Sequence, residues 1–405
     1  MRIATDAAGL SGARADQLRR AMGAKRSPER MEALKGELMA GMEEHGIDTL
    51  TRERIFDQLK AFADFGFPES HSFSFAHIVY VSAWLKVHAP EHFYAAILSS
   101  QPMGFYSPAT LVQDARRHGV TVLGPSVNDS FLDTGVQCAP GVPGDQEYRE
   151  GRPDPLPSRQ VIPLDVDEEL VVRIGLSSVR GLGRAAERIV RVRETGAFSS
   201  QADLANRAHL SASDMECLAM AGALECLGVG RREGTWAAGA LAAPTARQGE
   251  WQPFLPGTEI GTYVPDLPPL THTEQMRADI ETTGLTPGKH PFSYLRGDLS
   301  PGVLRAAELG AHLDGRIVDV AGLVTHRQRP HTGGGVTFLS LEDESGFVNV
   351  SVAVGTWNKF RRIGLESGAL LVRGTLEWGD GAVNVRAFRL APVRLPIQVR
   401  SRDFR

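Results

Sequence analysis

Arginine recurs at Arg173, Arg180, Arg184, Arg188, Arg191 and Arg193, and the middle of this group brackets the segment Val179-Arg180-Gly181-Leu182-Gly183. Glycine has no Cβ, so Gly181 and Gly183 would let backbone N–H groups come close to a phosphate. A helix starting behind them would add the positive end of its dipole. With Arg180, Arg184 and Arg188 beside the turn, the chemistry is a grip on a DNA backbone without base reading. The plain alternative is a glycine-containing connection between helices.

Two further groups invite a similar reading. Arg19-Arg20-Ala21-Met22-Gly23-Ala24-Lys25-Arg26 places cations at a helix end before a glycine stop. They either compensate the helix dipole or form a triphosphate clamp of fork-shaped guanidinium groups. Gly66-Phe67-Pro68-Glu69-Ser70-His71 is a short polar turn, where His71 could donate to a phosphate and Ser70 could cap the next helix. A cap alone explains it equally well.

The elements that must hold these residues are helical first. Ala13–Met22, Pro28–His45 and Arg52–Phe62 are rich in helix formers, with Pro28 where a first turn tolerates it. Phe73, Ala76, Tyr80, Ala83, Trp84 and Val87 recur at helical spacing before Pro90. Prolines and glycines then accumulate from 133 to 163, which predicts a loop or insertion. VVRIGL predicts a short strand leading into the glycine turn, Leu182, Ala185, Ala186, Ile189 and Val190 a helix behind it, and Ser213–Leu224 another. A Pro-rich linker over Ala242–Pro269 precedes a capping box, Thr271–Glu274, that opens a helix to Thr283.

From Gly315 the period falls to two. Val318–Val324, Val336–Leu341, Phe347–Val352, Leu370–Trp378 and Val383–Leu390 predict strands, with a helix at Thr356–Leu365 between the third and fourth. That order is an OB-fold, a small barrel that commonly holds single-stranded nucleic acid. Phe338, Phe347, Trp357, Phe360 and Trp378 could stack on bases, and His326, Arg327, Arg329, Lys359, Arg361, Arg362 and Arg373 could follow a backbone. Some of the aromatics must fill the barrel.

Composition sets the limits. A chain of 405 residues, 42% hydrophobic, predicts several domains. Its net charge of −4 excludes a generally basic coat, but cations cluster near the start and at 173–193 while acids gather between Asp129 and Glu169. Cys138, Cys217 and Cys226 lack the spacing of a zinc site or a disulfide framework. No apolar run reaches the ~18 residues of a membrane helix and no signal peptide opens the chain, so no membrane partner and a cytoplasmic place are expected.

RRAMGAKRSPERM, FADFGFPESHSFSFAHIVYVSAWLKVHAPEHFYAAILSSQPMGFYSPATLVQDARRHGV and GLSSVRGLGRAAERI together resemble the alpha subunit of bacterial DNA polymerase III, the C family. FGFPESH and QPMGFYSP resemble its error-prone, damage-tolerant branch. The resemblance implies a multi-domain chain, mainly α followed by β, covering the carboxy-terminal part of the family. Residues 1–127 correspond to the end of the helical fingers, 128–164 to a loop or insertion, and 165–230 to a helix-hairpin-helix DNA-binding domain. Residues 231–309 correspond to a linker with a short helix, 310–395 to the five-stranded OB-fold, and 396–405 to a tail.

It further implies translesion synthesis in DNA repair and replication, with primer-template DNA and an incoming dNTP as ligands. Arg19, Arg20 and His71, with Lys25 and Ser70 as companions, would lie near the nucleotide phosphates, and Arg180, Gly181, Gly183, Arg184 and Arg188 on DNA. Replicative members typically carry Asn-Lys where Pro68-Glu69 stands here, and Glu69 in place of a cation would loosen the electrostatic hold on the nucleotide. An inactive Y-family-like polymerase and the sliding clamp are implied partners, although Gln201-Ala202-Asp203-Leu204 lacks the aromatic end of a clamp peptide. The family enzyme uses Mg2+ held by palm aspartates, and no Pro-Asp-x-Asp-x-Asp-like segment occurs in this sequence. No catalytic or metal residue is therefore assigned, and the expectation is a fragment, a truncated product or half of a split polymerase. The alternative is a DNA-binding module without catalysis.

Overall fold

The computed structural model describes residues 3–22, 27–65, 69–138, 170–242, 265–312, 314–330, 334–379, 382–395 and 402–404. The chain divides into two compact units, Met1–Trp84 and Leu85–Arg405. In the first, α1 (Gly12–Met22), α2 (Ser27–Glu44) and α3 (Thr49–Phe65) bury Ala15 and Leu18, Leu38 and Met42, and Phe56 in one core. Pro28 sits in the first turn of α2, where its missing N–H costs nothing. Gly46, at φ 74°, ends the turn after α2. Asp48 then caps α3 by accepting the Thr51 N–H at 3.0 Å, and hydrogen bonds from the Thr51 side chain and then its backbone hold the carboxyl below the usual range. The predicted apolar stripe forms α4 (Glu69–His88), but it does not enter a core: Phe73 is 76% and Tyr80 71% exposed.

The second unit opens with α5 (Pro90–Ser99) and α6 (Pro108–Arg117), so helices continue past the first unit. Ser107 caps α6 by accepting the Thr110 N–H at 3.1 Å. Both helices pack on a small sheet of β1 (Val122–Leu123), β2 (Gly135–Cys138) and β3 (Leu170–Arg173) in the order β1-β3-β2. The loop expected over 128–164 lies largely outside the described residues, apart from its first part, which carries β2. β3 is the strand that VVRIGL predicts. It runs into a single 3₁₀ turn, Leu176–Ser178, which Gly175 opens in an extended conformation, packed so closely on the backbone of 132–134 that it has no room for a Cβ, and which the extended Val179 ends.

Beyond the glycine turn come α7 (Arg184–Arg193), α8 (Gln201–Ala208) and α9 (Ala212–Met220). A further helix, α10 (Arg231–Leu241), joins the same core through Ala237, Ala238 and Leu241. Propensity hid α10, since glycines and a tryptophan interrupt its sequence. The segment Gln201–Leu204 is the first turn of α8, with Leu204 fully buried and the Gln201 amide donating to the Gly234 carbonyl at 2.8 Å.

The Thr271–Glu274 capping box is present and opens α11 (His272–Thr283), which Gly284 closes at φ 79°. A short α12 (Pro291–Leu295) and β4 (Val303–Leu304) lead into the barrel. Its strands are β5 (Ile317–Gln328), β6 (Thr337–Asp343), β7 (Gly346–Val352), β8 (Ala369–Gly379) and β9 (Ala382–Pro392), with α13 (Val354–Glu366) between β7 and β8 as expected. β5 pairs with β6 at one end and β8 at the other, and β7 runs parallel to β9, so the order β5-β6-β7-β9-β8-β5 closes. The register shift between Val324 and His326 and the close backbone approach at Gly322 and Gly374 allow one strand to serve two neighbours. In the expected tail, β10 (Arg402–Phe404) pairs with β5 in parallel.

The barrel is fastened through the acidic run that ends β6. Glu342 accepts from Arg117 and Thr110 of α6, while Asp343 and Glu344 accept from Arg296 at 3.2 and 2.8 Å. Burial pushes the Glu342 carboxyl up to about 7 against the pull of Arg117 and Thr110. Nearby His290, only 1% exposed, accepts the Phe292 N–H through Nδ1 at 3.1 Å and caps α12. Burial, with Arg117 and Arg296 close by, lowers its pKa from 6.5 to about 3.

Between those two values the unfolded chain binds a proton at this position that the folded chain does not. His290 therefore makes stability fall as pH falls from 6.5 towards 3, by about 1.4 kcal/mol per pH unit. Glu342 acts with the opposite sign, since its raised value favours the folded state as pH falls through 7 towards 4.5. His290→Asn keeps a side-chain acceptor for the cap and is expected to flatten the acid branch of the stability curve. Urea unfolding of both proteins from neutral pH to about pH 4 checks this, and parallel curves would remove His290 as the cause.

Candidate nucleic-acid interface

Gly181 and Gly183 both take the left-handed backbone their types permit, at φ 86° and 48°. Between them Leu182 is 2% exposed and pins the turn to the core. Gly183 is the N-cap of α7 and contributes no side-chain acceptor. Among the described residues, the N–H groups of Gly181, Gly183 and Arg184 have no hydrogen-bond acceptor, and the space around Gly183 is open. An exposed turn thus offers amides at the positive end of a helix, which is the geometry of an anion site.

The flanking arginines divide by task. Arg180 donates its backbone N–H to the Thr282 carbonyl at 2.8 Å and its guanidinium to the carbonyls of Ile280 (3.3 Å) and Glu281 (3.1 Å). It closes the C-terminal end of α11, where cations are favoured. Gly284 makes room for it, because a Cβ there would stand 2.5 Å from Arg180 Nη2. Arg188 similarly donates to the carbonyls of Ala208 (3.1 Å) and His209 (3.4 Å) at the end of α8. Arg193 bonds the carbonyls of Val127 and Ser130. Arg184 is exposed and, among the described residues, has no hydrogen-bond or ion-pair partner, and the same holds for Arg191 about two turns along α7.

The residues expected near a nucleotide fall at the edge of what the structure describes. Arg19 and Arg20 occupy the last turns of α1, and Ser70 and His71 the first turn of α4. Their side chains, and all of Lys25, lie outside the described residues.

On the barrel, burial separates stacking surfaces from filling. Trp357 is 4% exposed and Phe360 packs on the same core. Arg327 is buried too, donating to the carbonyls of Gly364 and Ser367 at 2.7 Å. Phe347 lies under the Arg117 guanidinium, 5.4 Å from the ring centre. His326 Nε2 meets the Phe105 carbonyl at 2.6 Å. Phe338 and Trp378 remain exposed, as do Arg329, Lys359, Arg361, Arg362 and Arg373.

The β9 strand is where Val383–Leu390 predicts it, but its outward-facing side chains escaped the sequence. Arg386, Phe388 and Arg389 are exposed there, and Arg389 stands directly opposite Arg373 on β8. Facing like charges cost stability, and here Asp319 stands 3.8 Å from Arg373 while Glu377 pairs with Arg386 at 2.9 Å, so Arg389 is the cation of this face without an ion-pair partner among the described residues. The register shift between Arg373 and Gly374 turns both Phe388 and Arg389 outward, which a strict period of two does not predict. Among the described residues no three His, Cys, Asp or Glu side chains gather as a metal site, and no helix is long and apolar enough to cross a membrane.

Residues 1–46 match the model of the bacterial DNA polymerase III alpha subunit finger domain, and residues 119–234 match a helix-hairpin-helix motif. The whole chain is similar to proteins named error-prone DNA polymerase. It is 46% identical to that of Mycobacterium bovis over 409 residues and 45% identical to that of Nocardia farcinica over 417. In both matches all of this chain is covered, and it spans about a third of the length of these curated relatives (34% and 33%). With helical units, a glycine hairpin and a closed barrel following one another in this order, the chain belongs to the bacterial DNA polymerase III alpha-subunit family, as a carboxy-terminal part of its error-prone branch.

Proposed function

We propose that this chain holds primer-template DNA and the triphosphate of an incoming dNTP for an error-prone, DNA-directed DNA polymerase acting in translesion synthesis. The observation that carries the reading is the Gly181–Arg184 turn, whose acceptorless amides, open glycine backbone and unpaired guanidinium meet at the start of α7. A phosphate placed there gains charge-assisted hydrogen bonds and dipole stabilisation without any base contact. Of the DNA-contacting residues suggested by sequence, Gly181, Gly183 and Arg184 are the contacts in this reading, and Arg180 and Arg188 brace the turn from behind. The exposed Phe338, Phe388, Arg386 and Arg389 would take the single-stranded template on the barrel.

Arg19, Arg20, Lys25, Ser70 and His71 are proposed to face the nucleotide phosphates. Mg2+ would supply charge neutralisation and nucleophile activation in the complete enzyme. Among the described residues no three His, Cys, Asp or Glu side chains gather to hold it. By the same reading the protein works in the cytoplasm with an inactive Y-family-like polymerase and the sliding clamp as associates. The second reading, a DNA-binding module without catalysis, is favoured by the absence of a Pro-Asp-x-Asp-x-Asp-like segment from this sequence. Primer extension with Mg2+ by a complete polymerase of this family, with and without this portion, separates the two: extension that depends on this portion supports the first reading, and DNA binding with no effect on extension the second.

Duplex affinity should fall steeply with salt, and Arg184→Ala should lower it and reduce the slope of log affinity against log salt by about 1. Gly183→Ala should weaken binding further, since its backbone at φ 48° suits glycine alone. Titration of a labelled duplex at several salt concentrations measures both, and a salt-insensitive wild type would defeat the reading. In a polymerase carrying an intact catalytic centre, Arg19→Ala with Arg20→Ala should raise the apparent KM for dNTP at least ~tenfold while sparing DNA affinity. An unchanged KM would reassign the pair to dipole compensation.

A further inference from the structure

Glu342 is 2% exposed although it lies near the end of a barrel strand. Its Oε1 accepts from Nη1 and Nη2 of Arg117, both at 3.1 Å, and its Oε2 from Thr110 Oγ1 at 3.0 Å. Both donors stand on α6, outside the barrel. From the same helix, the Gln113 amide donates to the carbonyls of Thr286 (3.1 Å) and Gly288 (3.2 Å). Thr286 in turn donates through Oγ1 to Asp279 of α11 at 3.0 Å. The far end of α11 is the end that Arg180 closes, one residue before the glycine turn. An unbroken line of polar contacts therefore runs from the hairpin through α11 and α6 to the barrel wall.

Thr110, Gln113, Asp279, Thr286 and Glu342 are all buried, so each bond in this line replaces water that cannot return cheaply. Removing one partner of a buried ion pair costs far more than removing a surface one, because the other charge is left uncompensated. The barrel would nevertheless stay attached without Glu342, since Arg296 still holds Asp343 and Glu344. What it would lose is the buried ion pair tying the barrel to α6, leaving the Phe292 packing and the His326–Phe105 contact to hold a looser angle.

We infer that Glu342, through Thr110 and Arg117, is a positioning residue that holds the barrel at a set angle to the hairpin, so that both grip one primer-template at the same time. The inference rests on the DNA-holding function proposed above and adds the residue that couples its two surfaces. Two sites held at a matching distance bind a joined ligand with a high effective concentration, and that advantage disappears when the geometry loosens.

The test uses the full chain and three probes: a short blunt duplex, a short oligo(dT), and the same duplex carrying that oligo(dT) as a 5′ overhang. Wild type should bind the joined probe at least ~100-fold more tightly than either piece. Glu342→Ala should cut this advantage by about tenfold while leaving the affinity for each separate piece unchanged. Glu342→Gln, which keeps an acceptor of the same size, should recover most of it. Thr110→Val removes one donor without stranding a charge, and it should lose about threefold if Glu342→Ala fails to fold. An undiminished joined-probe advantage in a folded Glu342→Ala or Thr110→Val protein overturns the coupling. If wild type binds neither separate piece, the DNA-holding function itself falls and takes the coupling with it.

Discussion

Much of the second unit is organised around one electrostatic constraint: a run of three carboxylates, Glu342, Asp343 and Glu344, ends a barrel strand facing protein instead of water. Burying such charges is affordable only when every oxygen finds a donor. Arg117 and Thr110 meet the first, and Arg296 meets the other two. Those donors must stand still, so α6 and the segment around α12 are held by the same contacts that seat the barrel. Asp343 also accepts the backbone N–H groups of Ser345 and Ala306, at 2.8 and 2.9 Å, which folds the β6–β7 turn and the approach to β5 onto the same point.

The same logic of arginine meeting carbonyl recurs around the glycine turn. Arg180, Arg188 and Arg193 each end on main-chain carbonyls of another segment. A cluster of arginines in a DNA-binding family invites assignment to phosphate, yet these three spend their donors inside the protein. They place the turn, which in the proposed function leaves Arg184 and the glycine amides to meet a phosphate. Rigid support of this kind is what a backbone-reading contact needs, because a turn held loosely would lose the gain of its bonds in ordering entropy.

The fold was largely legible because its signals are local. Thr271 and Glu274 announce a helix start through a reciprocal pair of hydrogen bonds formed within four residues, and the α11 N-terminus sits at that point. Alternating apolar and polar residues marked the barrel strands, although β5 buries an unbroken run from Val320 to Val324, and the helix between the third and fourth fell in place. α10 escaped because its burial depends on distant Leu224 and Ala219, which press on Gly234 from another helix. The exposed stripe of α4 escaped for the opposite reason: spacing shows that apolar side chains share a face, and says nothing of what that face meets.

Sequence by itself determined the residue types that only certain backbones accept. Gly181 and Gly183 are the types that a left-handed turn admits without strain, and the period of two after Gly315 favours a sheet, because both follow from sterics within a few bonds. Tertiary structure alone decided which charges are spent. Arg180 and Arg184 are four residues apart and chemically identical, but one reaches the carbonyl end of a helix a hundred residues later in the chain, while the other finds no partner among the described residues. Partners at that separation are chosen by how helices pack, and packing is a property of the whole unit.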